Sequence, residues 1–177
     1  MEALEKNAYE NQSSLVAPLI FIGPFAQPTI HHAGGYLYWT KDADGKVLRE
    51  RHRLSNAIYP EIENELDRHA PLENEVCEFH CLLIRISFYK QIGGLDDRLI
   101  TREHIDLALR ARAHDAKVTF AKDSHVSYMA QNSFKLYDAI YNMYRWSDEL
   151  AIQSIETFEG SWGIKVNDMR KRIAKLT

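Results

Sequence analysis

Apolar positions fall in short separated runs along the chain, and their spacing changes from run to run. Residues 1–12 have helix-forming composition, with Ala3, Leu4, Ala8 and Asn11 on one side, and they end in the polar Asn11-Gln12-Ser13-Ser14. Residues 15–22 are continuously apolar between serines and Gly23-Pro24, which predicts a strand covered on both faces. Residues 36–40 and 47–48 flank the polar stretch 41–46. Asp44-Gly45 there supplies the positive φ angles of a tight turn, so a hairpin is expected. Residues 49–72 are polar and weakly periodic, which predicts a long surface excursion with a short helix near 61–68.

The second half has a different rhythm. Residues 76–86 are apolar enough for a central strand, and 87–92 suit one or two helical turns closed by Gly93. Ile105, Ala108, Leu109 and Arg112 recur at helical spacing over 105–113. Residues 118–120 and 125–128 read as two short strands separated by Lys122-Asp123. A long helix is expected over 133–157, carrying Leu136, Ile140, Met143, Tyr144, Leu150 and Ile155, with a final helix over 166–176. No internal repeat, low-complexity tract or linker breaks the pattern. The expectation is one α/β unit, with sheet and helix over 1–130 and a helical extension over 131–177.

Composition narrows the classes of function. At 177 residues with 45% hydrophobic content, the chain is long enough to bury one core. Its 22 Lys plus Arg against 25 Asp plus Glu give a formal charge of -3, so no general field draws nucleic acid or an anionic membrane. Nucleic acid is therefore not an expected partner. The longest apolar stretch, 15–26, contains Pro18, Gly23 and Pro24 and is shorter than the roughly 20 residues that span a bilayer. Acids stand at the start where a secretory signal has basic residues, and two cysteines are too few for a disulfide framework. A reducing cytoplasm is the expected compartment.

Candidate chemistry concentrates in 93–110, where Gly93-Gly94-Leu95-Asp96-Asp97 precedes Thr101-Arg102-Glu103-His104-Ile105-Asp106-Leu107-Ala108-Leu109-Arg110. Glu103 and Asp106 fall in the first turn of the expected helix, where unpaired N–H groups stabilise anions by about 0.3–1 kcal/mol. That electrostatic fit accounts for the acids structurally; His104 between them adds a group that titrates near neutral pH. His31-His32 point to opposite faces if extended, which argues against joint metal ligation. Cys77 and Cys81 share one face of an extended strand while Glu78 and His80 share the other, and no second ligand pair at zinc spacing follows. Buried thiols, and no metal ligands, are expected there. Tyr137, Tyr141, Tyr144 and Trp146 read as core aromatics at helical spacing, with Trp146 also suited to stacking on a sugar ring.

The order of these segments resembles the acceptor-side half of inverting family-two glycosyltransferases of the GT-A type. The resemblance rests on Gly93-Gly94-Leu95-Asp96 and Glu103-His104-Ile105-Asp106-Leu107-Ala108-Leu109-Arg110. Supporting segments are 14–20 followed by Ile30-His31-His32-Ala33-Gly34-Gly35, the stretch Cys81-Leu82-Leu83-Ile84-Arg85, and Lys117-Val118-Thr119-Phe120; together they cover about residues 10 to 130. It implies a partial Rossmann-like sandwich lacking the N-terminal nucleotide-binding βαβ part, with C-terminal helices. It also implies that His104 fills the slot of the general base, as a Glu-His-x-Asp variant, with Glu103 or Asp106 orienting it and Asp106 as the reserve base. Arg110 would pair with a nearby carboxylate. Glu78, His80, Gly93, Gly94, Asp96 and Trp146 would line the acceptor cleft. Where many members carry a histidine after the next strand, this chain has Tyr128, so no metal ligand is expected there.

Asp42-Ala43-Asp44 has the spelling of the Asp-x-Asp motif but lies in the expected hairpin turn, downstream of where that motif belongs. The resemblance thus implies a sugar transfer to an acceptor hydroxyl of a glycan or lipid-linked acceptor. The nucleotide-sugar donor, and a manganese or magnesium ion, would be held by a complementing N-terminal half. Self-association through the uncovered sheet is the further expectation. The alternative class is a non-catalytic remnant or interaction module that keeps the acceptor cleft without a donor site.

Overall fold

The computed structural model describes residues 1–23, 27–42, 45–128, 136, 138–145 and 147–166. The chain opens with helix α1 (Glu2–Glu10), followed by strands β1 (Leu15–Ile22), β2 (Thr29–His32), β3 (Gly35–Asp42) and β4 (Gly45–His52). Two short helical turns follow, α2 (Tyr59–Ile62) and α3 (Leu66–His69), then the two-residue strand β5 (Leu83–Ile84) and helices α4 (Ile86–Gln91) and α5 (Glu103–Ala113). Strand β6 (Val118–Tyr128) and helices α6 (Asp138–Arg145) and α7 (Asp148–Trp162) complete the order. The architecture is mixed α/β. Among the described residues no helix is long and apolar enough to cross a membrane.

β1 is the spine of a four-stranded sheet. One edge pairs in parallel with β6 over its whole length; the other pairs antiparallel with β5 at Leu15 and Val16 and with β2 from Ile20 to Ile22. The continuous apolar run needs cover on both faces, and it has it. Val16 packs with Leu4 and Ala8 of α1, whereas Leu15, Ala17, Leu19 and Phe21 face Phe88, Ile92, Leu107 and Ala111 from α4 and α5. The end of α1 is closed by Arg85, whose guanidinium donates to the carbonyls of Ala8 and Ser13 at 3.1 Å each. A cation at the last carbonyls suits the negative end of the helix.

β3 and β4 form a separate two-stranded hairpin in full register, from Asp42↔Gly45 to Gly35↔His52. The expected hairpin is thus present but longer. Residues 49–52 belong to it rather than to a surface excursion, because Gly35 to Tyr38 offer them a complete ladder. Leu48 packs with Ile105 and Leu109 of α5 and Phe158 of α7. α5 is therefore wedged between two apolar clusters, with Ile105, Leu107, Ala108, Leu109 and Ala111 all buried, each Leu or Ile stabilising the fold by about 1.5–3 kcal/mol. Ser154 of α7 fastens the loop ahead of α5, accepting from the Thr101 N–H at 3.1 Å and donating to its carbonyl at 2.8 Å.

Three expectations need correction. The central strand over 76–86 shrinks to Leu83–Ile84, which pairs only with Leu15 and Val16, while β2 takes Ile20 to Ile22 of that edge of β1. The two short strands over 118–128 are one strand; its pairing jumps from Pro18↔Ala121 to Leu19↔His125, next to a proline that has no N–H for the ladder. The single long helix is two helices, and Ser147 starts the second by accepting from the Leu150 N–H at 3.4 Å. Of the residues that carried the helical pattern, Leu136, Ile140, Met143 and Tyr144 are exposed. The final helix over 166–176 lies outside the described residues apart from Val166.

Candidate functional site

Five histidines converge on one end of the sheet although they come from four separate segments. β2 contributes His31 and His32. A two-residue turn, Ala33-Gly34, then starts β3, with Gly34 at φ +78. Gly35 pairs with His52, and a Cβ on it would lie 2.8 Å from the Arg51 carbonyl oxygen, so only glycine lets the hairpin close this tightly. This fold-back sets the His52 ring 4.9 Å from that of His32 and 6.0 Å from that of His31.

The irregular stretch after Asn74 brings in Glu78 and His80. Asn74 holds it, its side chain accepting from the Gly35 N–H at 2.6 Å and donating to the Val76 carbonyl at 2.7 Å. The ring of His80 packs 4.9 Å from His31 and 4.3 Å from Tyr128, at the end of β6. α5 supplies His104, following Arg102, whose left-handed backbone (φ 69) turns the chain into the helix.

Carboxylates alternate with these rings. His104 Nε2 lies 2.8 Å from Glu50 Oε2, His52 Nε2 lies 3.5 Å from Glu50 Oε1 and 3.6 Å from Glu78 Oε1, and His80 Nδ1 lies 3.0 Å from Glu78 Oε2. Burial alone would raise the Glu50 carboxyl, but its contacts with His104 and His52 hold it well below the usual carboxylate range. His52 is raised above the ordinary imidazole value, chiefly by Glu50. For His104 burial works against the charged ring, and the Glu50 hydrogen bond and charge outweigh it, so its value is raised. The other two rings behave oppositely. Burial, then the neighbouring imidazoles, pushes His32 down to about 3, and burial lowers His31.

Several ring nitrogens are left without partners. His31 Nε2 and both nitrogens of His32 are buried and accept or donate no hydrogen bond, while His52 Nε2 has only the longer ion-pair contacts with Glu50 and Glu78. An unpaired buried polar atom costs about 1–3 kcal/mol, so this concentration is expensive for a fold that gains nothing else from it.

Of the residues singled out in the sequence, His31, His32, Glu78, His80 and His104 thus meet at one site. Asp106 and Glu103 do not join it. Asp106 is buried and fully engaged, accepting from the Trp162 indole N–H at 2.8 Å and from Arg110 Nε at 2.7 Å. Arg110 therefore has the carboxylate partner expected of it. Glu103 lies 3.6 Å from Arg145. The carboxylate that holds the His104 ring is Glu50, not Glu103 or Asp106.

Gly93 and Gly94 close α4, both at positive φ, with the Gly94 N–H on the Tyr89 carbonyl at 2.9 Å and the Gly93 N–H on the Lys90 carbonyl at 3.2 Å. Arg110 then donates to the carbonyls of Ile92 and Gly94. Asp96 accepts two side-chain bonds from Arg98, which hold its carboxyl down to about 2. These glycines and Asp96 shape the turn into α5. Trp146 and Tyr137 lie outside the described residues, as do Ala43 and Asp44 of the Asp-Ala-Asp stretch. Tyr141 and Tyr144 are exposed rather than core.

Glu50 and His52 are absent from the sequence-based candidates. Their signal was the Asp-Gly turn itself: counting outward in register from Asp42↔Gly45 places His52 opposite Gly35, two residues after His32-Ala33. No protein-family model matches the chain, and no curated protein matches it.

Proposed function

We propose that this chain carries the acceptor side of an inverting sugar transfer, with His104 as the general base and Glu50 as the carboxylate that holds it. The observation carrying this reading is the 2.8 Å contact between His104 Nε2 and Glu50 Oε2. It is joined to the ordered Gly-Gly-Leu-Asp and Glu-His-Ile-Asp segments that resemble family-two glycosyltransferases. A carboxylate on one ring nitrogen fixes the tautomer that carries its proton there and leaves the Nδ1 lone pair to take a proton. The proton donor is the acceptor hydroxyl. Its oxygen then forms a bond to the anomeric carbon of the donor sugar while the bond to the nucleotide diphosphate breaks and the electron pair leaves with the diphosphate. Inversion needs this single base and no covalent nucleophile.

In this reading β1, β6 and α5 belong to the acceptor side of a GT-A sandwich, and a nucleotide-binding half supplies the donor sugar and its divalent ion. Glu78 and His80 border the acceptor, being linked to His104 through His52 and Glu50. The test is an NMR titration of the chain, labelled at histidine, with a panel of mono- and oligosaccharide acceptors. Saturating shifts of the His104 ring with at least one sugar, absent in Glu50→Gln, are the expected result. A folded chain whose His104 resonances respond to no sugar in the panel overturns the reading.

A further inference from the structure

The network contains a second grouping that the base does not use. One nitrogen from His31, one from His80 and one carboxylate oxygen of Glu78 all lie within 4.8 Å of one another. A tetrahedral ion with bonds of roughly 2.0–2.1 Å would hold such atoms about 3.4 Å apart, so side-chain rotation alone brings them to ligand distance. The two segments that carry them are anchored independently, β2 by its pairing with β1 and the Glu78 stretch by Asn74.

We propose that His31, Glu78 and His80 bind one divalent transition-metal ion of the zinc class. Geometry and orphaned atoms point the same way. His31 Nε2 is buried without a partner, and a cation is the one ligand that satisfies an imidazole lone pair, a carboxylate and a second imidazole together. Two imidazoles and one carboxylate form a donor set that suits zinc and leaves a fourth position for water or for an acceptor oxygen. The surroundings supply the outer contacts that such ligands need. Glu78 Oε1 faces His52 Nε2 at 3.6 Å, and the Tyr128 ring backs His80. Magnesium or calcium would demand mostly oxygen ligands, which this grouping lacks.

The site also differs from a cysteine-based one. Cys77 is buried in the main apolar cluster, and Cys81 packs on the α1 side of the sheet. Sulfur is therefore not part of the proposed ligand set. The ligand set includes neither His104 nor Glu50, so zinc binding is read separately from the proposed sugar transfer even though Glu78 and His80 border both.

The experiment is titration of the untagged, chelator-stripped chain with zinc, and with cobalt as a visible probe. One equivalent bound at micromolar or tighter affinity is expected, with a tetrahedral cobalt spectrum and no competition from millimolar magnesium. His31→Ala and His80→Ala should each weaken zinc by roughly 100-fold or more, whereas His69→Ala and His125→Ala should leave it unchanged. Because a cluster variant can lose its fold, X-ray absorption of the wild-type zinc complex gives a second readout. Imidazole and oxygen scatterers without sulfur support the site. A sulfur ligand, binding undiminished in the folded His31 and His80 variants, or no zinc binding by the wild-type chain overturns it.

Discussion

The carboxylate of Asp106 accepts from the indole N–H of Trp162 at 2.8 Å, joining the first turn of α5 to the last turn of α7 across 56 positions of sequence. The same carboxylate pairs with Arg110 one turn on at 2.7 Å, and Arg110 reaches back to the Gly-Gly turn. An acid that is this buried and this occupied is a structural clamp. Asp106→Asn leaves Arg110 only the longer 3.9 Å contact with Asp96, and breaking the closer buried pair should cost about 2–3 kcal/mol, lowering Tm by roughly 5–10 °C in a chain of this size. Thermal unfolding by circular dichroism reads it; a wild-type Tm would show that the clamp contributes nothing.

His104 should separate from Asp106 in the opposite sense. Its ring is held by Glu50 at the edge of the network, so His104→Ala should leave the fold intact. In an enzyme that joins this chain to a nucleotide-binding half, it should lower kcat by about 10²–10⁴-fold. The raised value of His104 fixes the pH dependence: a base works only when deprotonated, so the rising limb of the rate profile should lie above pH 6.5, and Glu50→Gln should move it down. A limb that stays in place in Glu50→Gln would break the link between the two residues.

His32 supplies a stability prediction. Its folded value of about 3 lies below the unfolded 6.5, so between these values the unfolded chain binds more protons than the folded one. Stability from this group is therefore full above pH 6.5 and declines as pH falls towards 3. At pH 4.5 the wild type should lose about 2–3 kcal/mol relative to pH 7 that a His32→Leu variant, which cannot titrate, keeps. Urea unfolding of both proteins in metal-free buffer at the two pH values gives the comparison, and identical acid losses would refute it.

Much of the scaffold was legible because local pattern and tertiary demand agree. α1, β1, the hairpin turn and α5 each show apolar spacing that matches the face they bury. The network was half legible. His104 and the pair Glu78 and His80 are visible as unusual residue types beside structured runs, but Arg49-Glu50-Arg51-His52 has the polarity of a loop and becomes strand only because Gly35 to Tyr38 pair with it. His31 and His32 were legible only in part, for a related reason. The two side chains do alternate, yet His52 from the folded-back hairpin stands close to both rings.

The two thiols should differ sharply in reactivity. Cys77 is buried in the main cluster, and burial pushes its thiol up to about 12, so the attacking thiolate is scarce at any ordinary pH. Cys81 is only half-buried. A disulfide reagent at pH 8 should therefore label one thiol per native chain quickly and the second at least about 100-fold more slowly, with both reacting at once in denaturant. Peptide mapping that finds Cys77 labelled first would contradict this burial.

α6 presents the clearest exposed apolar surface. Ile140 is 80% exposed and Met143 76%, with Tyr141 and Tyr144 beside them at 64% and 59%. Ile140, Met143 and Tyr144 are spaced three and four apart and so share one face of the helix, with Tyr141 at its margin. A contiguous apolar face of this kind on one short helix promotes association in water. The chain should therefore scatter light in a concentration-dependent way at tens of micromolar and bind an apolar dye. Replacing Ile140 and Met143 together by Glu should abolish both signals without lowering Tm, since neither side chain contributes to a core cluster. If the double variant associates as strongly as the wild type, the contact lies elsewhere, and the exposed Tyr36, Tyr38 and Trp39 of the β3–β4 hairpin become the surface to alter next.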